Sequence, residues 1–197
     1  MPIYLFLKVS LFFFLTLVMS FPSLAGQPMD QIRETTDKII SIVGDPALKS
    51  PEKAKERKRL IRQAVDERFD WEEMSRRSLA RHWKQRTEEE KTEFIYLFGK
   101  LLERTYLEQV ENYSGEEVLY ISETIDEKGF GDVRIKIITK QETEIPVRYK
   151  IKKNGNGWYV YDISVEGRSL INNYRKQFQR MPYKKLLKQL KAKVAQE

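Results

Sequence analysis

The sequence contains no cysteine and only one histidine, His82, among its 197 residues. The lack of cysteine excludes disulfide bonds, thiol catalysis and thiolate metal sites. A metal site or a hydrolytic triad would have to be built around His82 without a second imidazole. The sequence also lacks a glycine-rich phosphate loop, a dinucleotide fingerprint and a calcium loop of the right spacing. We therefore expect no catalytic residues, no metal and no cofactor.

One enzymatic alternative stays open on the residues alone. Ser78 lies one helical turn before His82, so the two side chains could act as a nucleophile and its base. No glycine-flanked elbow surrounds Ser78, and its segment has the pattern of a charged helix. Asp162 and Glu166 lie at the end of a hydrophobic strand, where we expect them to pair with arginine or to cap the following helix. Structural roles are thus favoured for all four residues.

The first 25 residues are typical of a secretory signal peptide. Lys8 is their only charged residue, Val9 to Met19 is apolar apart from one serine and one threonine, and Ser23-Leu24-Ala25 suits signal peptidase. An uncleaved membrane anchor is the alternative, but the apolar run is short for a span and Pro22 interrupts it. We predict cleavage near Ala25, which leaves one domain over residues 26–197.

The chain is basic, with a formal net charge of +7 and an isoelectric point near 9.4. This excess of positive charge favours an anionic partner. Because an exported protein rarely meets nucleic acid, the expected partner is an anionic membrane surface or an acidic protein, and not nucleic acid. An ordinary solvated surface is the alternative. The candidate docking residues are Arg134, Lys136, Arg148, Lys150 and the terminal lysines.

Hydrophobic periodicity predicts helices, then strands, then helices. The predicted helices cover residues 29–43, a segment from Ser50, a short segment after Asp70, Thr87 to about Asn112, a segment after Gly167, and Pro182 to Val194. The predicted strands are Val118–Ile125, Phe130–Lys140, Glu144–Lys153 and Gly157–Val165. A sheet with one apolar face must be covered by helices. The expected fold is α+β, with a curved four-stranded antiparallel meander cupped by about six helices.

The apolar faces are larger than a single packing contact requires. The helix that begins after Thr87 has a broad apolar stripe, and the second and third strands are each apolar on one face. These faces could enclose an apolar pocket, although a solid core is the alternative. The candidate lining residues are Trp83, Phe98, Leu101, Leu102, Val133, Ile135, Val147, Tyr149, Ile151, Tyr174 and Phe178.

Four segments resemble the MlaC family, also called the toluene-tolerance auxiliary proteins. They are MSRRSLARHW from Met74, FIYLFGKLLERTYL from Phe94, IPVRY from Ile145, and WYVYDISVEGRSLINNYRKQF from Trp158. The likeness runs from about Ile61 to the C-terminus, and the motifs follow the family's order.

The resemblance implies a periplasmic, monomeric lipid carrier whose cargo is a phospholipid. Such a protein shuttles lipid between an outer-membrane lipoprotein complex and an inner-membrane ABC transporter with an MCE-domain subunit, touching membrane surfaces transiently. Exposing roughly 30 methylenes to water costs about 24 kcal/mol, so the acyl chains should lie between the sheet and the long helix. Three alternatives remain: a hopanoid-associated carrier, an interaction module that binds no lipid, and a lipid hydrolase that uses Ser78 and His82.

Overall fold

A computed structural model describes residues 27–195 of the protein. The predicted signal peptide, residues 1–25, lies outside the described residues. Within them the chain forms six α-helices and one open antiparallel sheet, which confirms the predicted α+β class. No helix in this part of the chain is both long enough and apolar enough to cross a membrane.

The helices and strands follow the predicted order. The helices are α1 (Pro28–Gly44), α2 (Ala54–Asp66), α3 (Trp71–Leu79), α4 (Glu88–Glu111), α5 (Leu170–Phe178) and α6 (Tyr183–Val194). The strands are β1 (Glu117–Ile125), β2 (Phe130–Ile138), β3 (Glu144–Asn154), β4 (Gly157–Val165) and β5 (Arg168–Ser169). Short 3₁₀ turns lie before α2 and between α3 and α4.

Side-chain caps fix where three of the helices begin. Thr87 and Glu90 form a complete capping box before α4. The Thr87 amide donates to the Glu90 carboxylate at 3.1 Å, and the Glu90 amide donates to the Thr87 hydroxyl at 3.2 Å. Asp70 accepts a hydrogen bond from the Glu73 amide and so caps α3. Asp162 accepts from the Ser169 hydroxyl at 2.6 Å and from the Ile171 amide at 3.0 Å, which confirms that it stabilises the start of α5.

The sheet has five strands in the order β1-β2-β3-β4-β5, so the prediction of four strands was wrong. The fifth strand arises because Glu166 and Gly167 both have positive φ, 50° and 77°, and form a two-residue turn after β4. The turn returns the chain so that Ser169 pairs with Ser164, and Arg168 pairs with Val165. A strand of two residues is too short to produce a period in the sequence.

Most of the buried apolar side chains belong to two clusters. The first joins α3, α4, α5 and α6 and contains a group of aromatic rings, with the ring centroids of Phe98 and Tyr174 5.3 Å apart. The second joins Ile32 of α1 to the inner face of the sheet. The register of β3 and β4 shifts at one point. Lys150 pairs with Asp162 and the next residue, Ile151, pairs with Val160, so Tyr161 has no partner on β3. This irregularity leaves Tyr161, between those β4 residues, in the first cluster.

A buried carboxylate links α3 to the sheet. The Glu73 carboxylate accepts a hydrogen bond from the Arg76 guanidinium at 2.5 Å and another from the Arg77 guanidinium at 2.7 Å. The Lys152 ammonium of β3 lies 3.8 Å from Glu73 and 2.7 Å from Asp70. Burial alone raises the pKa of Glu73, but the two arginines outweigh burial and hold that pKa below its ordinary value.

Candidate functional site

A cleft of about 970 Å³ lies between the helices and the sheet. Its walls come from α1, α2, the connection to α3 and the start of α3, the C-terminal half of α4, the middle of β3, the end of β4, and the β5–α5 segment. The volume is near the upper end of the range of about 300–1,000 Å³ that ligand pockets usually span. The cleft is therefore large enough to hold a sizeable ligand.

Most of the cleft wall is apolar. Leu107 and Val110 extend the apolar stripe of α4 beyond the first cluster, and Ile39 and Val65 face the cleft from α1 and α2. Ile163 of β4 also lines the cleft and is only partly buried. The alternation of strand side chains explains its position, because residues on either side of Ile163 point to the other face. The wall can therefore contact an apolar ligand along its length.

Two tyrosines keep their phenols uncharged in this wall. Burial raises the pKa of Tyr149 to about 12. Burial and the neighbouring Tyr174 raise the pKa of Tyr106 to about 12. Both phenols therefore stay protonated near neutral pH, and they add aromatic surface without adding charge.

Two of the three arginines that line the cleft, Arg62 and Arg68, are held by protein partners. Arg62 bonds to Asp66 at 2.7 Å and to Glu103 at 3.0 Å, and its guanidinium lies 4.7 Å from the ring centroid of Trp71. Arg68 donates to the Thr35 hydroxyl at 3.1 Å. It also bonds to the Gln31 side chain and to a backbone carbonyl at the start of β4, so it joins α1 to the sheet.

The predicted lining residues divide between the cleft and the two clusters. Leu102 and Tyr149 line the cleft. Five of the others belong to the first cluster: Trp83, Phe98, Leu101, Tyr174 and Phe178. Four belong to the second: Val133, Ile135, Val147 and Ile151. The sequence prediction omitted Thr35, Ile39, Val65, Tyr106 and Ile163, although Tyr106 belongs to the broad α4 stripe that suggested a pocket.

Ser78 and His82 do not form a nucleophile–base pair. Ser78 is fully buried, and its hydroxyl donates to the Ser75 carbonyl at 3.0 Å. The Nε2 atom of His82 is buried and has no hydrogen-bond partner among the described residues. Burial and the nearby Arg81 and Arg86 lower the pKa of His82, which disfavours the protonated imidazole. Residues 27–195 also contain no group of three or more side chains that could hold a metal ion.

Comparison with known proteins identifies relatives of this fold. The solved structure of a phospholipid-binding protein from Ralstonia solanacearum, in complex with a phospholipid, matches with a TM-score of 0.76 at 26% sequence identity. The match covers 87% of this chain and 98% of the other. No curated protein gives a significant match. The family model described as MlaC protein matches residues 33–196, most of the sequence, and the chain therefore belongs to the MlaC family.

Proposed function

We propose that the protein is a phospholipid carrier and that it holds the acyl chains of its cargo in the cleft. The observation that carries this proposal is a largely apolar cleft of about 970 Å³ in a member of the MlaC family. A structural relative that was solved with a bound phospholipid supports the same assignment. The cargo is a transported ligand and not a cofactor.

The physical basis is the cost of exposing acyl chains to water. Roughly 30 methylenes would cost about 24 kcal/mol if fully hydrated, at about 0.8 kcal/mol each. A chain in the cleft would contact Tyr149 and Ile163 on the sheet side, and Leu102 and Leu107 on the α4 side. The head group needs no such shelter and would lie near solvent.

The eleven residues predicted from the sequence would then have two roles. Leu102 and Tyr149 would contact the lipid directly, since both line the cleft. The other nine lie in the two packed clusters, so they would touch a lipid only if the helices of the first cluster separated or if α1 moved off the sheet.

We place the carrier in the periplasm as a monomer, between an outer-membrane lipoprotein complex and an inner-membrane transporter with an MCE-domain subunit. The N-terminal sequence, typical of a signal peptide, supports export. The alternatives are a hopanoid-associated carrier and an interaction module that binds no lipid.

The distribution of charge supports brief contact with an anionic surface. Helix α6 contains five lysines and no acidic residue. Lys191 pairs with Glu93 at 2.6 Å, whereas Lys184 and Lys188 are exposed and have no ion pair within residues 27–195. Each such lysine near an anionic membrane contributes about 1 kcal/mol. On the outer face of the sheet, Lys136 and Arg148 are neutralised by Glu144 and Asp132, which leaves Arg134 and Lys150 there without an ion pair within residues 27–195. Four of the five α6 lysines have no ion pair in that part of the chain, so the α6 surface is the better docking candidate.

A transfer assay between two vesicle populations tests the carrier function. Donor vesicles would hold a self-quenched fluorescent phospholipid, and acceptor vesicles would hold none. We expect the protein to raise the rate at which fluorescence appears, in proportion to its concentration. A rate equal to that of vesicles alone would contradict the carrier function and favour the interaction module.

A further inference from the structure

Some of the charged side chains that line the cleft form ion pairs or hydrogen bonds with other residues of the protein, and others do not. Six charged residues line the cleft: Arg62, Arg68, Glu103, Glu166, Arg168 and Lys176. Arg62 and Glu103 bond to each other, and Arg68 has three neutral acceptors. The remaining three all belong to the segment that contains the β4–β5 turn, β5 and α5.

The segment formed by the β4–β5 turn, β5 and α5 makes one wall of the cleft, the β5–α5 wall. It has two cationic side chains that form no ion pair in the described part of the chain. Arg168 and Lys176 are both exposed, and neither forms an ion pair or a side-chain hydrogen bond within residues 27–195. Asn172 lies between them in sequence, one helical turn before Lys176, and it also lines the cleft. Glu166 is the only carboxylate on this wall, and it lies in the exposed turn. The wall thus offers cationic and amide donors at the edge of an apolar cleft.

A phosphodiester requires the kind of surroundings that this wall provides. It is anionic at neutral pH, and guanidinium and ammonium groups are its usual partners in proteins. It must also remain near water, because burying an unpaired charge among apolar groups is costly. The apolar side of the cleft, with Ile163 and Tyr149, satisfies neither condition.

We propose that the β5–α5 wall binds the phosphodiester of the lipid head group, with Arg168 and Lys176 as its cationic contacts. This inference rests on the proposed carrier function and adds to it an orientation and a ligand class. The head group lies at β5 and α5, and the acyl chains extend from there along Ile163 and Tyr149. The protein therefore distinguishes glycerophospholipids from uncharged lipids that have the same chains.

The test compares two probes that differ only in the head group. Dioctanoyl phosphatidylglycerol carries the phosphodiester, and dioctanoylglycerol has the same chains without it. Binding of each probe would be measured by titration calorimetry to the lipid-extracted protein, for wild type and for Arg168→Gln/Lys176→Gln. A control with the same loss of charge is Lys55→Gln/Arg59→Gln, since both residues are exposed on α2 and neither lines the cleft.

We expect the cleft variant to bind dioctanoyl phosphatidylglycerol about tenfold more weakly than wild type, as for the loss of two exposed ionic contacts. Its affinity for dioctanoylglycerol should not change, and the control should match wild type for both probes. Unchanged binding of the phospholipid by the variant, or an equal loss for both probes, would overturn the inference while leaving the carrier function intact. If the wild type bound neither probe, the carrier function itself would fail, and the head-group site with it.

Discussion

Replacing Ile163 by aspartate would place a carboxylate on the apolar wall of the cleft. Ile163 lines the cleft and lies beside Tyr149 in the β3–β4 pair, so a bound acyl chain would have to strip water from the new side chain. The next residue, Ser164, pairs with Arg148 and points to the opposite face of the sheet. Ser164→Asp is therefore a matched control, with the same added charge on the same strand but outside the cleft.

The size of the effect follows from the cost of desolvation. Moving a polar group into apolar surroundings without a hydrogen bond costs about 2–7 kcal/mol. Because the cleft is partly open and the carboxyl group can take up a proton, the lower end applies, at about 2 kcal/mol. Phospholipid affinity should then fall about 30-fold for Ile163→Asp. For Ser164→Asp we expect wild-type affinity.

Uptake from vesicles provides the assay. Each protein would be incubated with phospholipid vesicles, separated from them by gel filtration, and analysed for bound phosphorus. Circular dichroism would establish that both variants are folded at the assay temperature. If Ile163→Asp took up as much lipid as wild type, or if Ser164→Asp lost as much as Ile163→Asp, the assignment of acyl chains to this wall would be refuted.

Three further predictions concern the fold. Glu73 has a folded-state pKa below its ordinary value of 4.5. Its stabilising contribution is therefore complete above pH 4.5 and is lost as the pH falls through the lower folded-state pKa. Glu73→Gln should lower the free energy of unfolding at pH 7 by about 1–2 kcal/mol, and it should weaken the decrease in melting temperature at acidic pH. Asp162→Ala leaves the buried Ile171 amide without an acceptor and should cost about 2 kcal/mol in a urea titration, whereas a cost near zero would contradict this role of the cap. Gly131→Ala would place a Cβ atom in a steric clash with the Thr124 carbonyl oxygen of β1 and should lower stability by about 2 kcal/mol or more, while Gly44→Ala meets no atom within 4 Å and should not; equal melting temperatures would refute the clash.

Most of the architecture could be predicted from periodicity and caps, because these are local signals. The capping box at Thr87 and the period-two run of Val133 and Ile135 are each determined by residues a few positions apart. Strand β5 could not be predicted in this way, because its two residues show no alternation. The position of Tyr161 depends on a register shift between β3 and β4, which only the pairing of the two strands reveals.

The candidate site was harder to predict than the fold. Periodicity shows that Phe98 and Ile151 lie on apolar faces, but it does not show what covers those faces. Both residues are fully buried in the clusters, whereas Leu102, a few residues along α4 from Phe98, belongs to the first cluster and also lines the cleft. The difference depends on where α1, α2 and the β4–α5 turn pack, and these long-range contacts leave no local pattern. The broad α4 stripe and the apolar face of β3 were the useful signals, since they led to Leu102 and Tyr149; the stripe also contains Tyr106, which the prediction omitted.

Native mass spectrometry of the purified protein would show whether the cleft holds a phospholipid. Organic extraction of the same sample would identify whatever molecule accompanies the chain. We expect a complex with one phospholipid per protein molecule, which dissociates when the protein is denatured. A ligand-free mass, together with no uptake of phospholipid from vesicles, would contradict this expectation.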